Sequence, residues 1–295
     1  MRVLLIGATG VLGREAVPRL LAAGHRVTGL ARNEERAAAV RGLGIEPVIG
    51  DLFDADSLAK ALDGCVGVVN LATRIPTGLR MVRGMAENDR VRSEGSRNLV
   101  EAALNADVRV IVQEGISFVY ADGGDAELDE DAPLDAVGPL RTSLEAHANV
   151  ARFAESGDRV GVRLRIAALV GDEPMARMLM RMAKFRAPVM YGDPDGWFTA
   201  IHPSDAAAGA VAALSAPSGV YNVGATPARK SEIAQVVAEA AGVPKGRVMS
   251  GAMLVGQFRS LARSHRVVSH RLTEATGWRP ERPTFGAAWF APSGK

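Results

Sequence analysis

The chain opens with an apolar strand, Val3-Leu4-Leu5-Ile6, that runs directly into Gly7-Ala8-Thr9-Gly10-Val11-Leu12-Gly13 and then a helix-forming stretch. This G-x-x-G-x-x-G spacing constrains the fold more than any other feature. The first glycine allows a tight turn, the second lets a diphosphate approach the backbone, and the third lets the helix pack closely on the strand. The position of the motif, after the first strand and at the mouth of a helix, is the one a dinucleotide site requires. A glycine-rich turn used only for packing is the alternative reading of the same residues.

The first half alternates short apolar strands with amphipathic helices. Strands are expected over Arg2–Ile6, Arg26–Leu30, Glu46–Ile49, Gly67–Leu71, Arg109–Gln113 and Val160–Ile166. Helices are expected over Val11–Ala23, Glu34–Gly42, Ala55–Leu62, Val91–Ala106 and Leu140–Glu155. Strands alternating with helices call for a parallel sheet covered on both faces. The expectation is therefore an α/β, Rossmann-type doubly wound parallel sheet with a small C-terminal substrate lobe. Residues 1–171 form the nucleotide domain and 172–295 the lobe, with 201–224 returning to the sheet. In that second part, helices are expected over Met175–Phe185, Asp205–Leu214 (capped by Ser204) and Lys230–Ala241, with a strand at Val220–Val223.

With 295 residues, 47% hydrophobic and 23% charged, the chain has the composition of a soluble globular protein. A net charge of +2 gives no electrostatic case for nucleic acid or a membrane surface. One cysteine, Cys65, excludes an internal disulfide framework. No apolar run reaches membrane-spanning length, and the cytoplasm is the expected location. His265 and His270 lack a metal-ligand pattern, so no metal is expected.

The cofactor contacts follow from the strand ends. The diphosphate falls to Gly7, Thr9, Gly10, Val11, Leu12 and Gly13. The second strand ends without a carboxylate for ribose hydroxyls and carries Arg32 instead, with Arg36 one turn on. Guanidinium groups there suit a 2′-phosphate, which points to NADP(H). Asp51 and Leu52 suit the adenine amino group and ring, although Asp51 equally fits an ordinary turn. Leu71, Ala72 and Thr73 are small enough to leave room for a cofactor at the fourth strand end.

Together these motifs resemble the extended short-chain dehydrogenase/reductase family of NAD(P)-dependent epimerases and dehydratases. The resemblance is carried by the glycine motif, Gly50-Asp51-Leu52, Asn70-Leu71-Ala72, the helix pattern Glu94–Ala103, Phe198–Asp205, Val220–Gly224 and Thr276-Gly277-Trp278-Arg279-Pro280. It implies hydride chemistry on a small-molecule substrate, and a homodimer through the helices at Val91–Ala106 and Leu140–Glu155. The family's Tyr-x-x-x-Lys pair is missing. Leu140 and Leu144 take its places, Ile116 takes the serine slot, and Arg92 stands where asparagine is usual.

Replacement proton donors are sought in Glu114, Ser117, Tyr120 and His147, with water as the alternative. The candidate substrate wall comprises Arg74, Met175, Met178, Tyr191 and Trp197. Methionine adapts to irregular apolar surfaces, so the wall suits an apolar or aromatic substrate, or else these residues form a lobe core. Arg80 and Arg83 share the loop with Arg74, and the arginine-rich tail offers either phosphate contacts or a solvated face. Three functions remain open: an NADP(H)-dependent oxidoreductase acting on an apolar carbonyl or enone metabolite of specialised metabolism, a non-redox cyclase or isomerase, and an NADP(H)-sensing binder.

Overall fold

The computed structural model describes residues 1–74, 81–254 and 256–291. Seven strands form one sheet: β1 (Arg2–Ile6), β2 (Arg26–Ala31), β3 (Glu46–Ile49), β4 (Gly67–Asn70), β5 (Val110–Gln113), β6 (Val160–Ile166) and β7 (Gly219–Val223). Their order is β3-β2-β1-β4-β5-β6-β7, and every neighbouring pair is parallel. This is the Rossmann α/β arrangement. The order reverses between β1 and β4, and ligands bind at the carboxyl ends of strands beside such a switch point.

Strand alternation sorts the core into two layers. Val3 and Leu5 of β1 join a cluster with Ala16, Val17 and Leu20 of α1 (Val11–Ala22) and the alanines of α8 (Pro203–Ala212). Leu4 and Ile6 point the other way, towards Leu58 of α3 (Ala55–Ala61), Leu99 of α5 (Ser96–Leu104) and Phe153 of α6 (Arg141–Ala154). A third cluster joins α7 (Pro174–Lys184) and α9 (Lys230–Ala241) to Phe285, Trp289 and Phe290. It builds a wall above the strand ends.

Three local expectations are corrected. The helix expected from Val91 begins as a π turn, Val91–Gly95, continuing from α4 (Met81–Arg90), a helix that its polar sequence concealed. Helix α8 starts at Pro203, not Asp205. Its cap is His202, whose ring nitrogen accepts the Ser204 N–H at 3.3 Å, and Pro203 sits at the first position, where its missing N–H costs nothing. The stretch Pro188–Gly196, whose Pro188, Gly192, Pro194 and Gly196 read in the sequence as a loop, contains a two-residue strand, Met190–Tyr191, paired with Val248–Met249.

Gly7 has φ +84°, and a Cβ there would stand 2.9 Å from the Leu71 carbonyl and the Ala72 nitrogen. A Cβ on Gly13 would overlap the Gly7 carbonyl oxygen and the backbone of Ala8. Gly13→Ala therefore forces α1 away from β1 and is expected to cost about 1–3 kcal/mol or more, as overpacked cores do. Gly24→Ala places its Cβ in open space at φ +76° and carries only the left-handed backbone cost of about 1–2 kcal/mol. Urea denaturation of the two variants checks this order: the Gly13 variant should have the lower midpoint.

Candidate functional site

A single cavity of about 1190 Å³ runs from the glycine turn, across the carboxyl ends of β1, β4, β5 and β6, to the wall formed by α7 and α9. Its first half is lined by Gly7, Thr9, Gly10, Val11 and Leu12, by Arg32 and Arg36, by Asp51, Leu52 and Phe53, and by Leu71, Ala72 and Thr73. The N-terminus of α1 points here, with no acidic side chain in its first turn. Its unpaired N–H groups and positive dipole end suit a diphosphate. Gly13 does not line the cavity; it serves the close contact with Gly7 that seats the turn.

Arg32 and Arg36 are both exposed and enter no ion pair among the described residues. The Arg36 N–H is received by Asn33, which caps α2 (Glu34–Arg41) and holds that arginine one turn from Arg32. Asp51 accepts the Phe53 N–H at 3.0 Å, which shapes the turn and leaves its second oxygen available. Arg90 lies over the Phe53 ring at 4.4 Å and closes this end of the cavity.

The middle of the cavity is where the sequence reading and the structure part. Ile116 and Leu140 line it and have no proton to give. Glu114 also lines it, but not as a free acid. Its carboxylate accepts from Arg92 Nε at 3.0 Å and Nη2 at 2.8 Å, a bidentate pair whose side chains are about 5% exposed. Burial pulls the Arg92 pKa down, but the charge and hydrogen bonds of Glu114 and the charge of Asp89 reverse this, and the net shift is upward.

The other three proton-donor candidates turn away. Ser117 is buried in a short 3₁₀ turn and is not on the cavity wall. Tyr120 is fully buried, donates to Asn222 at 2.7 Å and accepts from Arg165 at 2.8 Å. Burial raises its pKa, which makes it a poorer acid still. His147 packs behind Gly115, its Nε2 3.1 Å from the Leu164 carbonyl. Burial lowers its pKa to about 3, with the charges of Arg165 and Arg163 adding to the effect, so it is a neutral packing residue.

On the substrate side, Arg74, Met175, Met178 and Tyr191 line the cavity, joined by Leu179, Met182, Met190, Phe198 and Phe285. Trp197 does not. It lies between the guanidinium groups of Arg229 (3.9 Å) and Arg266 (4.7 Å), with its indole N–H on Asp125. Phe185 is 82% exposed. Arg74 pairs with Glu87 at 2.9 Å. Arg80 lies outside the described residues, and only the backbone of Arg83 is described.

The tail arginines tie the tail to the body. Arg263 bonds Asp135 and the Tyr120 carbonyl, Arg271 pairs with Asp131 and Glu130, and Arg282 bonds Ser204. Lys230, fully buried at the start of α9, donates to the carbonyls of Tyr191, Ala262 and Leu261. Its ammonium thus meets the Tyr191 main chain, not the phenol. Burial lowers its pKa to about 8, against the opposing pull of Asp122 and Asp193. Among the described residues, no group of three or more His, Cys, Asp and Glu side chains is placed to hold a metal.

The sequence reading missed Phe53, Phe118, Glu173 and Phe285 on the wall. Phe53 follows Leu52 directly and was accessible from it. Phe285 comes from the far end of the chain and carried no local signal.

Comparison with known proteins gives a consistent picture. The family model described as NAD dependent epimerase/dehydratase matches residues 3–224. The chain is 33% identical, over 97% of its length and 98% of the relative's, to a 3-diazoavenalumate denitrifying reductase of a Streptomyces species. It is 33% identical, over 45% of its length and 39% of the relative's, to a 4-hydroxy-2-methyl-3-oxo-4-farnesyl-3,4-dihydroquinoline-1-oxide ketoreductase of Stigmatella aurantiaca. In fold it is similar to a Thermus thermophilus UDP-glucose 4-epimerase solved with NAD, at a TM-score of 0.77 and 21% identity over 98% of this chain and 97% of that one.

The buried imidazoles predict acid sensitivity. His147 and His265 have folded-state pKa values of about 3 and about 4, both lowered chiefly by burial. The unfolded chain binds their protons near pH 6.5 and the folded chain does not. Their contribution to stability is therefore whole above that pH and is lost as pH falls towards 4. Each group contributes at most about 1.4 kcal/mol per pH unit in that window. Urea midpoints measured from pH 7.5 to 4.5 should fall, and His147→Gln should show a shallower fall than the parent.

Proposed function

The chain belongs to the NAD dependent epimerase/dehydratase family, and from that membership we propose that it is a cytoplasmic NADP(H)-dependent oxidoreductase acting on a small, largely apolar carbonyl or enone metabolite. It is an enzyme of the reductase type, as relatives named as a denitrifying reductase and a ketoreductase support. The observation that carries the reading is the continuity of the cavity: one space joins a glycine-turn diphosphate site to an apolar wall across the strand ends.

A reduced nicotinamide, when bound, supplies a hydride; the residues of this chain do the rest. The backbone from Gly7 to Leu12 and the start of α1 hold the diphosphate. Arg32 and Arg36 receive the 2′-phosphate through charge-assisted hydrogen bonds. Asp51 and Leu52 hold the adenine, and Leu71 to Thr73 leave space for the nicotinamide half. The methionines of α7, with Phe198 and Tyr191, exclude water from the substrate and adapt to its shape.

With Ile116 and Leu140 at the centre, the proton comes from water. This favours acceptors that take up hydride before a proton, such as conjugated enones. A diazo compound, the kind of substrate named for the Streptomyces relative, meets the same requirement.

Two measurements test this. NADPH oxidation should be followed at 340 nm with a panel of aryl ketones and enones; product formation without coenzyme oxidation would favour the cyclase or isomerase reading instead. Arg32→Ala is expected to lower kcat/KM for NADPH about 10- to 100-fold, the value of one to two charged hydrogen bonds, and to leave that for NADH unchanged. Equal losses with both coenzymes would remove the 2′-phosphate role.

A further inference from the structure

Arg92 belongs to the π turn Val91–Gly95, the kind of helix defect that re-aims a side chain and recurs at functional sites. It reaches the cavity wall beside Ile116, Phe118 and Leu140, which are apolar, so that Arg92 and Glu114 supply the polar atoms there. Two of its nitrogens are engaged by Glu114. The third, Nη1, makes no hydrogen bond among the described residues, and it is not one of the buried polar atoms without a partner. Nη1 is therefore not sealed in the interior, and Arg92 is a lining residue of the cavity.

Stability does not account for the arrangement. A buried ion pair repays its desolvation poorly, and apolar side chains of similar volume commonly do as well or better. A pair placed on an otherwise apolar wall, with one nitrogen of the guanidinium unpartnered among the described residues, is suited to meet a ligand. The charge balance narrows which ligand. Glu114 already neutralises Arg92, so Nη1 acts as a hydrogen-bond donor to a neutral oxygen. A full carboxylate would have to give up its water on an apolar wall for a guanidinium that Glu114 has already balanced, whereas a neutral carbonyl enters without that cost and meets the donor as its charge develops.

We propose that Arg92, held in place by Glu114, binds the carbonyl oxygen of the substrate through Nη1 and stabilises the negative charge that develops on it. Glu114 is then a positioning residue, and Arg92 takes the place of the absent hydroxyl without donating a proton. The step balances. The carbonyl carbon, or the β-carbon of an enone, accepts the hydride as the nicotinamide coenzyme is oxidised, and the π electron pair moves to oxygen. The alkoxide or enolate then takes its proton from water, and Arg92 keeps all of its own. A donor set to where charge develops is the commonest large electrostatic contribution to catalysis.

This proposal rests on the reductase reading, and binding tests it apart from turnover. Propiophenone, propylbenzene and 3-phenylpropanoate share a phenyl group and a three-carbon chain; they carry a neutral carbonyl, no oxygen and a carboxylate respectively. Each is titrated by calorimetry into the protein with and without NADP⁺. In the parent, propiophenone should bind about tenfold tighter than propylbenzene, the value of one hydrogen bond to a charged group, and tighter than 3-phenylpropanoate. Arg92→Met should abolish the preference for the ketone with NADP⁺ affinity unchanged, and Glu114→Gln should shift preference towards the carboxylate.

Three results overturn it: no preference between ketone and hydrocarbon in the parent, tightest binding of the carboxylate in the parent, or an undiminished ketone preference in Arg92→Met. The parent titrations decide the matter even if the Arg92 variant does not fold. Absence of NADP⁺ binding, with the ketone preference intact, would instead sink the coenzyme reading alone.

Discussion

The carbonyl of Gly7 and the α-carbon of Gly13 lie so close that no side chain fits between them. That contact fixes where α1 begins relative to the end of β1, and much of the site follows from it. Because α1 starts there, its unpaired N–H groups face the space above the switch point between β1 and β4. Because Gly7 also approaches Leu71 and Ala72 without a side chain of its own, the end of β4 abuts the turn. The cavity then continues along the strand ends to β5 and β6. A methyl group at either glycine would separate elements that must meet for a dinucleotide to be held at all.

The reaction-centre half obeys a different constraint, the cost of putting charge where water is scarce. The chain carries buried charged or titratable side chains near this cavity and compensates each one separately. Glu114 receives a guanidinium, Lys230 receives main-chain carbonyls, and His147 remains neutral against the Leu164 carbonyl. Glu173 caps α7 with both oxygens, accepting the N–H groups of Met175 and Ala176 at 2.6 Å each. Three of these compensations leave nothing to offer a substrate. The Arg92–Glu114 pair leaves the nitrogen Nη1 without a partner among the described residues, which is why the substrate oxygen is proposed to bind there.

The nucleotide half was legible in the sequence because its signals are local. Gly7 to Gly13, Arg32, Asp51 and Leu71 to Thr73 each sit at the end of a strand that is itself marked by apolar residues, and parallel pairing brings those ends together. The strands were therefore read to within a residue or two. The proton donors were not legible, because orientation and not chain position decides them. Tyr120 and His147 lie near the right elements but face the interior, where Asn222, Arg165 and the Leu164 carbonyl occupy them. Glu114 was read as a titratable acid because its partner lies 22 residues earlier, across a helix whose π turn has no sequence signature. Trp197 was read as wall because strand partners alternate faces: Phe198 took the cavity side, and Trp197 took the outside between two arginines.

The tail shows how the same residue type divides by environment. Arg263, Arg271 and Arg282 bind carboxylates, hydroxyls or carbonyls of the body, so their charge is used in holding the C-terminal segment against the strand-end face. Arg32 and Arg36 are exposed and enter no such pair among the described residues. What sets Arg32 and Arg36 apart is their place, two cations without an ion pair among the described residues on the lining of the cavity beside the glycine turn. A phosphate there would neutralise them without displacing an existing partner, whereas the tail arginines would have to break ion pairs first. Electrostatic cost therefore makes the β2 end of the cavity the cheaper place for an anionic ligand and the far wall the cheaper place for apolar groups.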